Sequence, residues 1–239
     1  MRCLAISIVR QDGVARVKEL RNGPPGRRGG RFGRTVRSVT PFDQFLASLP
    51  TEDTGQVPGG GFQVGEIELL RSNSRERRIA RGEYYVRAGE ACDSFAWVAD
   101  GLLRFYYCGE DGREYTSYFA DAGSYVPSYA MVATGGESRF YVEALEASTL
   151  LEFPYRVLEG LQQQSVAVAA IVRQFLVQAL LGKERREASL ILDDGETRYR
   201  EFLATSPGLE GRVMLKHIAS YLALSPVSLS RIRRRMAES

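Results

Sequence analysis

Four arginines stand close together near the end of the chain, at Arg231 and at positions 233–235. Residues 222–236 read LALSPVSLSRIRRRM. Guanidinium groups bind phosphates, and they also bind the guanine edge in the major groove of DNA through paired hydrogen bonds. Serine hydroxyls can bond to bases or to phosphates. This chemistry suits a nucleic-acid contact, and it needs a helix to aim the side chains.

The sequence predicts that helix. Ser225 is a good N-cap, and Pro226 suits the first helical position because its missing amide has no intrahelical partner. At about 100° per residue, one face carries Leu229, Ile232 and Met236. The side chains predicted to face the bases are Ser225, Val227, Ser228, Ser230, Arg231 and Arg234. Those predicted to face the phosphates are Lys216, Arg233 and Arg235.

A second predicted helix comes just before this one. The stretch VMLKHIASYL has one apolar face, made of Leu215, Ile218, Ala219 and Leu222. Two short helices joined by a turn of about three to four residues form a helix-turn-helix, whose second helix enters the major groove. A solvated amphipathic helix would explain the charges, but not the helix pair, the turn and the cap together.

Charge is segregated along the 239 residues. The net charge of +3 combines two basic ends with an acidic middle. Residues 1–37 carry 10 Lys and Arg against 2 acidic residues, and residues 211–239 carry 6 against 1. The distribution indicates that contact with a polyanion is local to the ends of the chain.

The cysteines and the N-terminal apolar run bear on the compartment. Cys3, Cys92 and Cys108 are scattered, which favours a reducing compartment and argues against a disulfide framework or a metal site. The run CLAISIV is too short for a secretory signal or a membrane span. We therefore expect a cytoplasmic protein with no membrane contact, no metal and no cofactor.

From about Arg77 the sequence changes to short runs rich in Tyr, Phe and Val, separated by glycines. This spacing predicts an antiparallel sandwich or roll, with a hairpin turn at CGEDGRE. Before it, residues 21–37 are Gly, Pro and Arg with almost nothing to bury, so we predict disorder there. That stretch is a nucleic-acid-binding arm, a tail without a role, or translation from a mis-chosen start codon. A short helix is predicted at PFDQFLASL.

Residues 166–192 form a long predicted helix with two apolar stripes, which implies two packing partners. One partner is the roll, and the other is most simply the same helix of a second subunit. The dimer contact is assigned to Val168, Ile171, Val172, Phe175 and Ala179. The other stripe carries Val166, Val177, Leu180, Leu181 and Ile191.

The order of roll, long helix and helix-turn-helix resembles the Crp/Fnr family of bacterial transcription regulators over roughly residues 62–239. The stretch IASYLALSPVSLSRIRRRM is very similar to the family pattern at the helix-turn-helix. The resemblance implies an α+β fold with an antiparallel cyclic-nucleotide-binding-like β-roll. It also implies a homodimer on double-stranded DNA, an effector pocket in the roll, and RNA polymerase as a further partner.

Two departures affect the predicted DNA contact. Many members read bases with Arg-Glu just after the cap, where this chain has Pro226 and Val227. Neither can make a bidentate base contact, although Val227 can touch a thymine methyl. Ala223 stands where the family usually has a turn glycine, which implies a different turn or modest strain.

The effector pocket departs further. Pro127 and Ser128 stand where the family has Gly-Glu, and Ser138 stands where it has the phosphate-binding arginine. Arg139 is one position late, which in a strand points it to the opposite face. The predicted pocket residues are Ser128, Tyr129, Ser138 and Arg139, the effector is unidentified, and we predict that it is not cyclic AMP. The nearby aromatic group can line a pocket, but aromatic residues in the strands of a roll are usually core; its members are Tyr125, Tyr129, Phe140 and Tyr141.

Two other functions were weighed. An enzyme of the cupin kind would need several histidines in the roll, and His217 is the one histidine in the chain, inside the helix-turn-helix. The other alternative is a ligand-sensing or protein-interaction module that has lost DNA binding. The predicted boundaries are a basic, disordered extension with a short helix at 1–60, a roll at 61–153, a dimerisation helix at 154–192 and a DNA-binding domain at 193–239.

Overall fold

The structure is a computed structural model that describes residues 6–11, 14–19, 39–49, 62–126 and 129–238. The chain divides into two compact units, Met1–Leu49 and Pro50–Ser239. The second unit contains every residue predicted for a functional site. The four domain boundaries drawn from the sequence stay predictions.

The first unit contains a two-stranded hairpin and one helix. Strands β1 (Ile6–Gln11) and β2 (Val14–Glu19) are antiparallel. The predicted disorder over 1–60 is therefore wrong for these strands, and the missed signal is an Asp-Gly pair between β-branched runs. The predicted short helix is confirmed as α1 (Pro41–Ser48), which Thr40 caps. The stretch 21–37 lies outside the described residues.

The predicted antiparallel roll is confirmed as two four-stranded sheets. The first sheet has the order β3 (Arg75–Ile79), β10 (Ser148–Pro154), β5 (Ser94–Asp100) and β8 (Tyr125–Val126). The second sheet has the order β4 (Tyr84–Val86), β9 (Tyr141–Ala144), β6 (Leu102–Cys108) and β7 (Glu114–Asp121). Helix α2 (Val64–Asn73) precedes β3, and helix α3 (Tyr129–Thr134) follows β8.

Both sheets contribute to one hydrophobic core, and β6 belongs to two environments. Its residues Leu103 and Phe105 are part of the core between the sheets. Leu102 and Arg104 alternate with them and so lie on the outer face of the second sheet. The predicted hairpin is confirmed as β6–β7, with Gly112 at a φ of +75° in its turn.

The single helix predicted over 154–192 is wrong in one respect, because the structure contains two helices. They are α4 (Tyr155–Gln164) and α5 (Val166–Leu192). Ser165 between them has extended backbone angles, and its hydroxyl accepts a hydrogen bond of 3.3 Å from the amide of Val168. That cap begins a new helix, so the helical run is interrupted at Ser165.

The two apolar stripes of α5 differ in burial. Val168, Ile171 and Val172 are buried within their own chain, and the Phe175 ring packs against Tyr125 with 4.8 Å between centroids. The assignment of the first three to a dimer contact is therefore wrong, because a second subunit could not reach them. The apolar side chains of the other stripe are exposed, namely Val166, Val177, Leu180, Leu181 and Ile191. On the first stripe, Phe175 is 37% exposed.

Among the described residues, α5 is the helix with the length and apolar composition to cross a membrane. Its first turns pack within the globular unit. Arg186, near its other end, donates hydrogen bonds to the backbone carbonyls of Thr116 and Tyr221. These contacts tie both ends of α5 to the rest of the unit.

Four helices follow α5. They are α6 (Gly195–Thr205), α7 (Leu209–Arg212), α8 (Leu215–Tyr221) and α9 (Pro226–Ala237). The side chain of Asp194 caps α6 by accepting a hydrogen bond of 2.8 Å from the amide of Thr197. Helices α8 and α9, with the residues 222–225 between them, match the predicted helix-turn-helix.

Candidate nucleic-acid interface

Helix α9 begins where the sequence predicts. The hydroxyl of Ser225 accepts a hydrogen bond of 3.0 Å from the amide of Ser228, and Pro226 occupies the first turn. The Ser228 hydroxyl also lies 2.8 Å from that of Ser225. Both serines thus stabilise the start of the helix, and the side chain of Ser228 is exposed.

The faces of α9 are also those predicted. Leu229 and Ile232 are buried, and Met236 is half-buried against the same cluster. The exposed side is made of Val227, Ser228, Ser230, Arg231 and Arg234. Val227 is 60% exposed, which is unusual for a branched apolar side chain and leaves its methyl groups available for contact. We call Val227, Ser230, Arg231 and Arg234 the reading face.

The turn before α9 carries backbone strain. Ala223 has a φ of +52°, in the left-handed region where a Cβ atom costs about 1–2 kcal/mol. The amide of Leu224 donates to the carbonyl of Ala219 at 2.8 Å, which closes the end of α8. The strain expected from the missing glycine is therefore present, and the turn keeps the left-handed residue that a glycine would supply.

The arginines predicted to face the phosphates lie at the flanks of α9 and have acidic partners. Arg233 forms an ion pair of 3.0 Å with Glu210. Arg235 donates from Nε to Glu196 at 3.0 Å and forms a second contact with the same carboxylate through Nη2. Lys216, on α8, is exposed. Glu196 and Glu210 thus hold two of the four arginines in this conformation.

The opposite side of the helix-turn-helix rests on the β-roll. One hydrophobic cluster joins Leu102 and Phe119 of the second sheet to buried residues of the C-terminal helices: Tyr199, Phe202, Leu209, Val213, Ile218, Ala219, Leu222, Leu229 and Ile232. The rings of Phe119 and Tyr221 lie 5.4 Å apart. The C-terminal helices therefore share their core with the roll.

A buried arginine lies inside this contact. Arg104 on β6 is 1% exposed, and its Nη2 donates to Glu114 at 2.7 Å and to Glu143 at 2.8 Å. Its guanidinium also lies 4.1 Å from the centre of the Tyr106 ring. Nη1 reaches across to α8, where it lies 2.5 Å from Nδ1 of His217. Arg104 thus joins the roll to the helix-turn-helix.

His217 is buried and neutral at neutral pH. Burial lowers its pKa to about 4, and the neighbouring charges of Arg104 and Lys216 act in the same direction. A guanidinium can only donate hydrogen bonds, so Nδ1 of His217 must be the acceptor and Nε2 must carry the proton. The lone histidine therefore has a structural role at the contact between the roll and α8.

Three further residues make polar contacts between the roll and the helices that follow it. The hydroxyl of Ser220 donates to the carbonyl of Glu114 at 2.7 Å and accepts from the amide of Thr116 at 2.9 Å. Arg212 binds both carboxylate oxygens of Glu146, which lowers the pKa of that carboxyl. The contacts of Arg186 described above complete the set. We call the contacts made by Arg104, Arg186, Arg212 and Ser220 the seat.

Two of the predicted effector-pocket residues, Ser138 and Arg139, lie in the described part of the chain and face different environments. Ser138 is buried, and its hydroxyl donates to the carbonyl of Phe140 at 2.6 Å. Phe140 belongs to the core, with its ring 5.6 Å from that of Phe105. Arg139 is exposed. Ser128 and the side chain of Tyr129 lie outside the described part of the chain.

The aromatic residues beside the pocket fall into three places. Phe140 is core, as predicted. Tyr141 lies on the outer face of the second sheet, where it stacks on Tyr106 with 5.0 Å between ring centres. Tyr125 packs against α5 through Phe175. Among the described residues there is no group of three or more His, Cys, Asp or Glu side chains that could hold a metal ion.

Comparison with known proteins addresses the family. The family model of the cyclic nucleotide-binding domain matches residues 76–165, which span the roll and α4. The fumarate and nitrate reduction regulatory protein of Vibrio cholerae is 25% identical over 193 residues, covering 74% of this chain and 76% of that protein. The chain is therefore similar, over about three quarters of its length, to transcription regulators of Crp/Fnr type.

Solved structures share the fold of this chain. FixK2 from Bradyrhizobium japonicum superposes with a TM-score of 0.62 at 20% identity, covering 69% of this chain and 85% of FixK2. A regulator of the crp/fnr family from Eubacterium rectale superposes with a TM-score of 0.60 at 17% identity, covering 74% and 84% of the two chains.

The sequence alone did not reveal the seat or the acidic partners of α9. Nothing in the local sequence marks Glu196 or Glu210. A signal was available only for Arg104, which is an arginine inside the apolar run LLRFYYC. A charged residue surrounded by strand-forming apolar residues is buried only when it is paired.

Proposed function

We propose that this protein is a cytoplasmic, dimeric transcription regulator that binds a two-fold DNA operator through α9. The observation that carries the proposal is the reading face. Val227, Ser230, Arg231 and Arg234 are exposed along one side of a capped helix whose other side is buried. A helix with this arrangement can enter the major groove without exposing its core.

The residues of the reading face suggest how bases are recognised. Arg231 and Arg234 can donate paired hydrogen bonds to guanine, and Ser230 can bond to either member of a base pair. Val227 offers methyl groups to the methyl of thymine. Lys216 and, once released from their acidic partners, Arg233 and Arg235 would contact the phosphates on either side.

The dimer part of the proposal rests on α5. Its exposed stripe contains Val177, Leu180, Leu181 and Ile191, and Leu180 is 56% exposed. An apolar stripe along a helix of 27 residues suits a parallel contact with the same stripe of a second subunit. A two-fold dimer presents helix α9 of each subunit to one half-site of a symmetric operator. At the promoter, RNA polymerase is a further partner.

We also propose that cyclic AMP is not the effector. The hydroxyl of Ser138, which stands where the family has its phosphate-binding arginine, is engaged with the backbone of Phe140. Arg139 is exposed, and Phe140 fills the neighbouring interior. Charge-assisted hydrogen bonds contribute about 1.5–3 kcal/mol each, so the lack of the Glu and Arg contacts weakens binding on the order of 100- to 10,000-fold.

Charge reversal at the reading face tests DNA binding. R231E/R234E should weaken binding to a duplex selected from a random library by the wild-type protein by at least about 100-fold, since a specific arginine–base contact contributes about 1–3 kcal/mol. The measurement is fluorescence anisotropy at several salt concentrations. R78E/R113E changes two exposed arginines of the roll and serves as a control of equal charge. An interaction module without DNA binding would show no difference between the two variants.

Two simpler measurements test the dimer and the effector. Sedimentation of the wild-type protein should give a dimer, and L180E should shift it toward the monomer because a charge replaces an exposed apolar contact.

The temperature of thermal unfolding should not shift with millimolar cyclic AMP, whereas a ligand at a hundred times its Kd would add about 2.7 kcal/mol to the free energy of unfolding. A clear shift would mean that Arg139 or another group supplies the missing contact.

A further inference from the structure

We propose that Arg104 is a positioning residue for operator binding, which it controls from the roll through its contact with His217. The inference rests on the proposed function, because it concerns how the reading face is held. Arg104 lies on β6, and its partners Glu114 and Glu143 lie on β7 and β9. Its fourth contact, His217, belongs to α8. One side chain therefore connects three strands of the roll to the first helix of the helix-turn-helix.

The chemistry of the contact suits orientation. Hydrophobic contact is non-directional, so the shared apolar cluster can hold the helices on the roll without fixing their angle. A guanidinium is planar, with donors in a rigid fork, and here it is clamped by two carboxylates and stacked on Tyr106. Nη1, which carries the contact to α8, can meet Nδ1 of His217 in few orientations of that helix.

The surrounding bonds act in the same place. Ser220 lies one helical turn beyond His217 and makes two hydrogen bonds with the backbone of β7. A shift of α8 along β7 would break these bonds together with the bond from Arg104. Because Arg104 is fully buried, breaking its contact also leaves an unpaired donor, which is costly in the interior. The seat therefore favours one orientation of α8 on the roll over slightly shifted orientations.

Orientation matters most for a two-fold operator. The two reading helices of a dimer must meet half-sites about 34–36 Å apart at the same time. Looser attachment of each helix-turn-helix to its own roll lowers the fraction of dimers in which both helices are aligned. A single half-site demands no such alignment. The ratio of affinity for the two-fold site to affinity for one half-site therefore reports on the seat.

The experiment uses the full chain and two duplexes. The first is a two-fold duplex selected from a random library by the wild-type protein, and the second is the same duplex with one arm scrambled. The variants are R104M, H217L, H217N and S220A. H217L removes the acceptor, whereas H217N keeps an oxygen close to the position of Nδ1. R113M changes an exposed arginine in the turn of the same hairpin and serves as the control.

The expected results separate positioning from folding. R104M and H217L should lower the affinity ratio by about tenfold, within the range of ordinary coupling between sites, while half-site affinity changes by less than about twofold. S220A should lower the ratio by about threefold. H217N and R113M should keep the wild-type ratio. If R104M does not fold, H217L and S220A decide the question.

Two results would overturn the inference. An unchanged ratio in folded, dimeric H217L and S220A would mean that the apolar cluster alone sets the orientation. Tighter binding of the two-fold site by these variants would mean that the seat opposes operator binding. A wild-type protein that selects no duplex would refute the proposed function itself, and the inference with it. Loss of half-site binding in equal measure would indicate a purely structural role.

Discussion

The two sides of the helix-turn-helix use arginine in opposite ways. On the reading face, Arg231 is exposed and makes no ion pair with any described residue. In the seat, Arg104 is buried and contacts Glu114, Glu143 and His217. The first side chain is free to meet a partner that the chain does not contain. The second has its partners supplied by the fold.

This difference shows that the partners of an arginine, rather than its sequence position, determine its role. The flanking residues Arg233 and Arg235 are intermediate, since each is exposed but paired with one glutamate. Exposed ion pairs contribute about 0–1 kcal/mol and exchange readily. The contacts of Arg104 are of the other kind, because its guanidinium is buried and water cannot readily replace its partners.

The largest expected effect comes from removing the buried charge. R104M should lower the free energy of unfolding by about 3 kcal/mol, at the low end for a broken buried pair because Glu114 keeps contact with water. R231M should change it by less than about 0.5 kcal/mol, since its side chain is exposed. Urea unfolding of both variants measures the difference. Equal stabilities would mean that the buried network contributes nothing net.

An intermediate effect concerns pH. The pKa of His217 is about 4 in the folded protein and 6.5 ordinarily. Between these values the unfolded chain binds the proton and the folded chain does not, so the free energy of unfolding falls as pH is lowered from about 6.5 to about 4. The slope from one group is at most about 1.4 kcal/mol per pH unit. Above pH 6.5 the histidine adds no dependence.

The comparison of wild type with H217N isolates this effect. Arg104 and Lys216 face the imidazole as cations, and Glu114 and Glu143 bind the other side of the Arg104 guanidinium. All four groups are present in both proteins, so the difference between the two curves belongs to His217. Parallel curves for wild type and H217N from pH 7 to pH 4.5 would contradict the prediction.

The smallest expected effect concerns the flanking pairs. E196Q/E210Q should release Arg233 and Arg235 toward the phosphates. Each new phosphate contact should steepen the slope of log K against log salt by about 0.9 on random-sequence DNA. The free energy of unfolding should change by less than about 1 kcal/mol per pair. E201Q alters an exposed glutamate of the same helix α6 and should leave the slope unchanged. An unchanged slope in the double variant would separate both arginines from the DNA contact.

The reading face was predictable because its signals are local. A serine cap, a proline in the first turn and apolar residues at helical spacing lie within 12 residues, and the structure has the same cap and faces. The antiparallel strands were predictable for the same reason, from glycine turns and short aromatic runs. Local patterns of this kind depend on backbone preferences that do not need the rest of the fold.

The seat was not predictable because its partners are distant in sequence. Arg104 is separated from Glu143 by 39 residues and from His217 by 113. The break at Ser165 was missed since helical residues stand on both sides of it. Three of the five residues assigned to the dimer contact are covered by their own chain. Periodicity identifies two apolar faces but does not say which one the chain itself covers.

Strand β6 has one further consequence. It separates two packed regions. Phe105 faces the hydrophobic core of the roll, and Arg104 faces the helix-turn-helix. Neighbouring residues of a strand are covalently coupled across its thickness, so a disturbance that displaces Phe105 also displaces Arg104. The backbone of one strand therefore belongs both to the core of the roll and to the support of the helix-turn-helix.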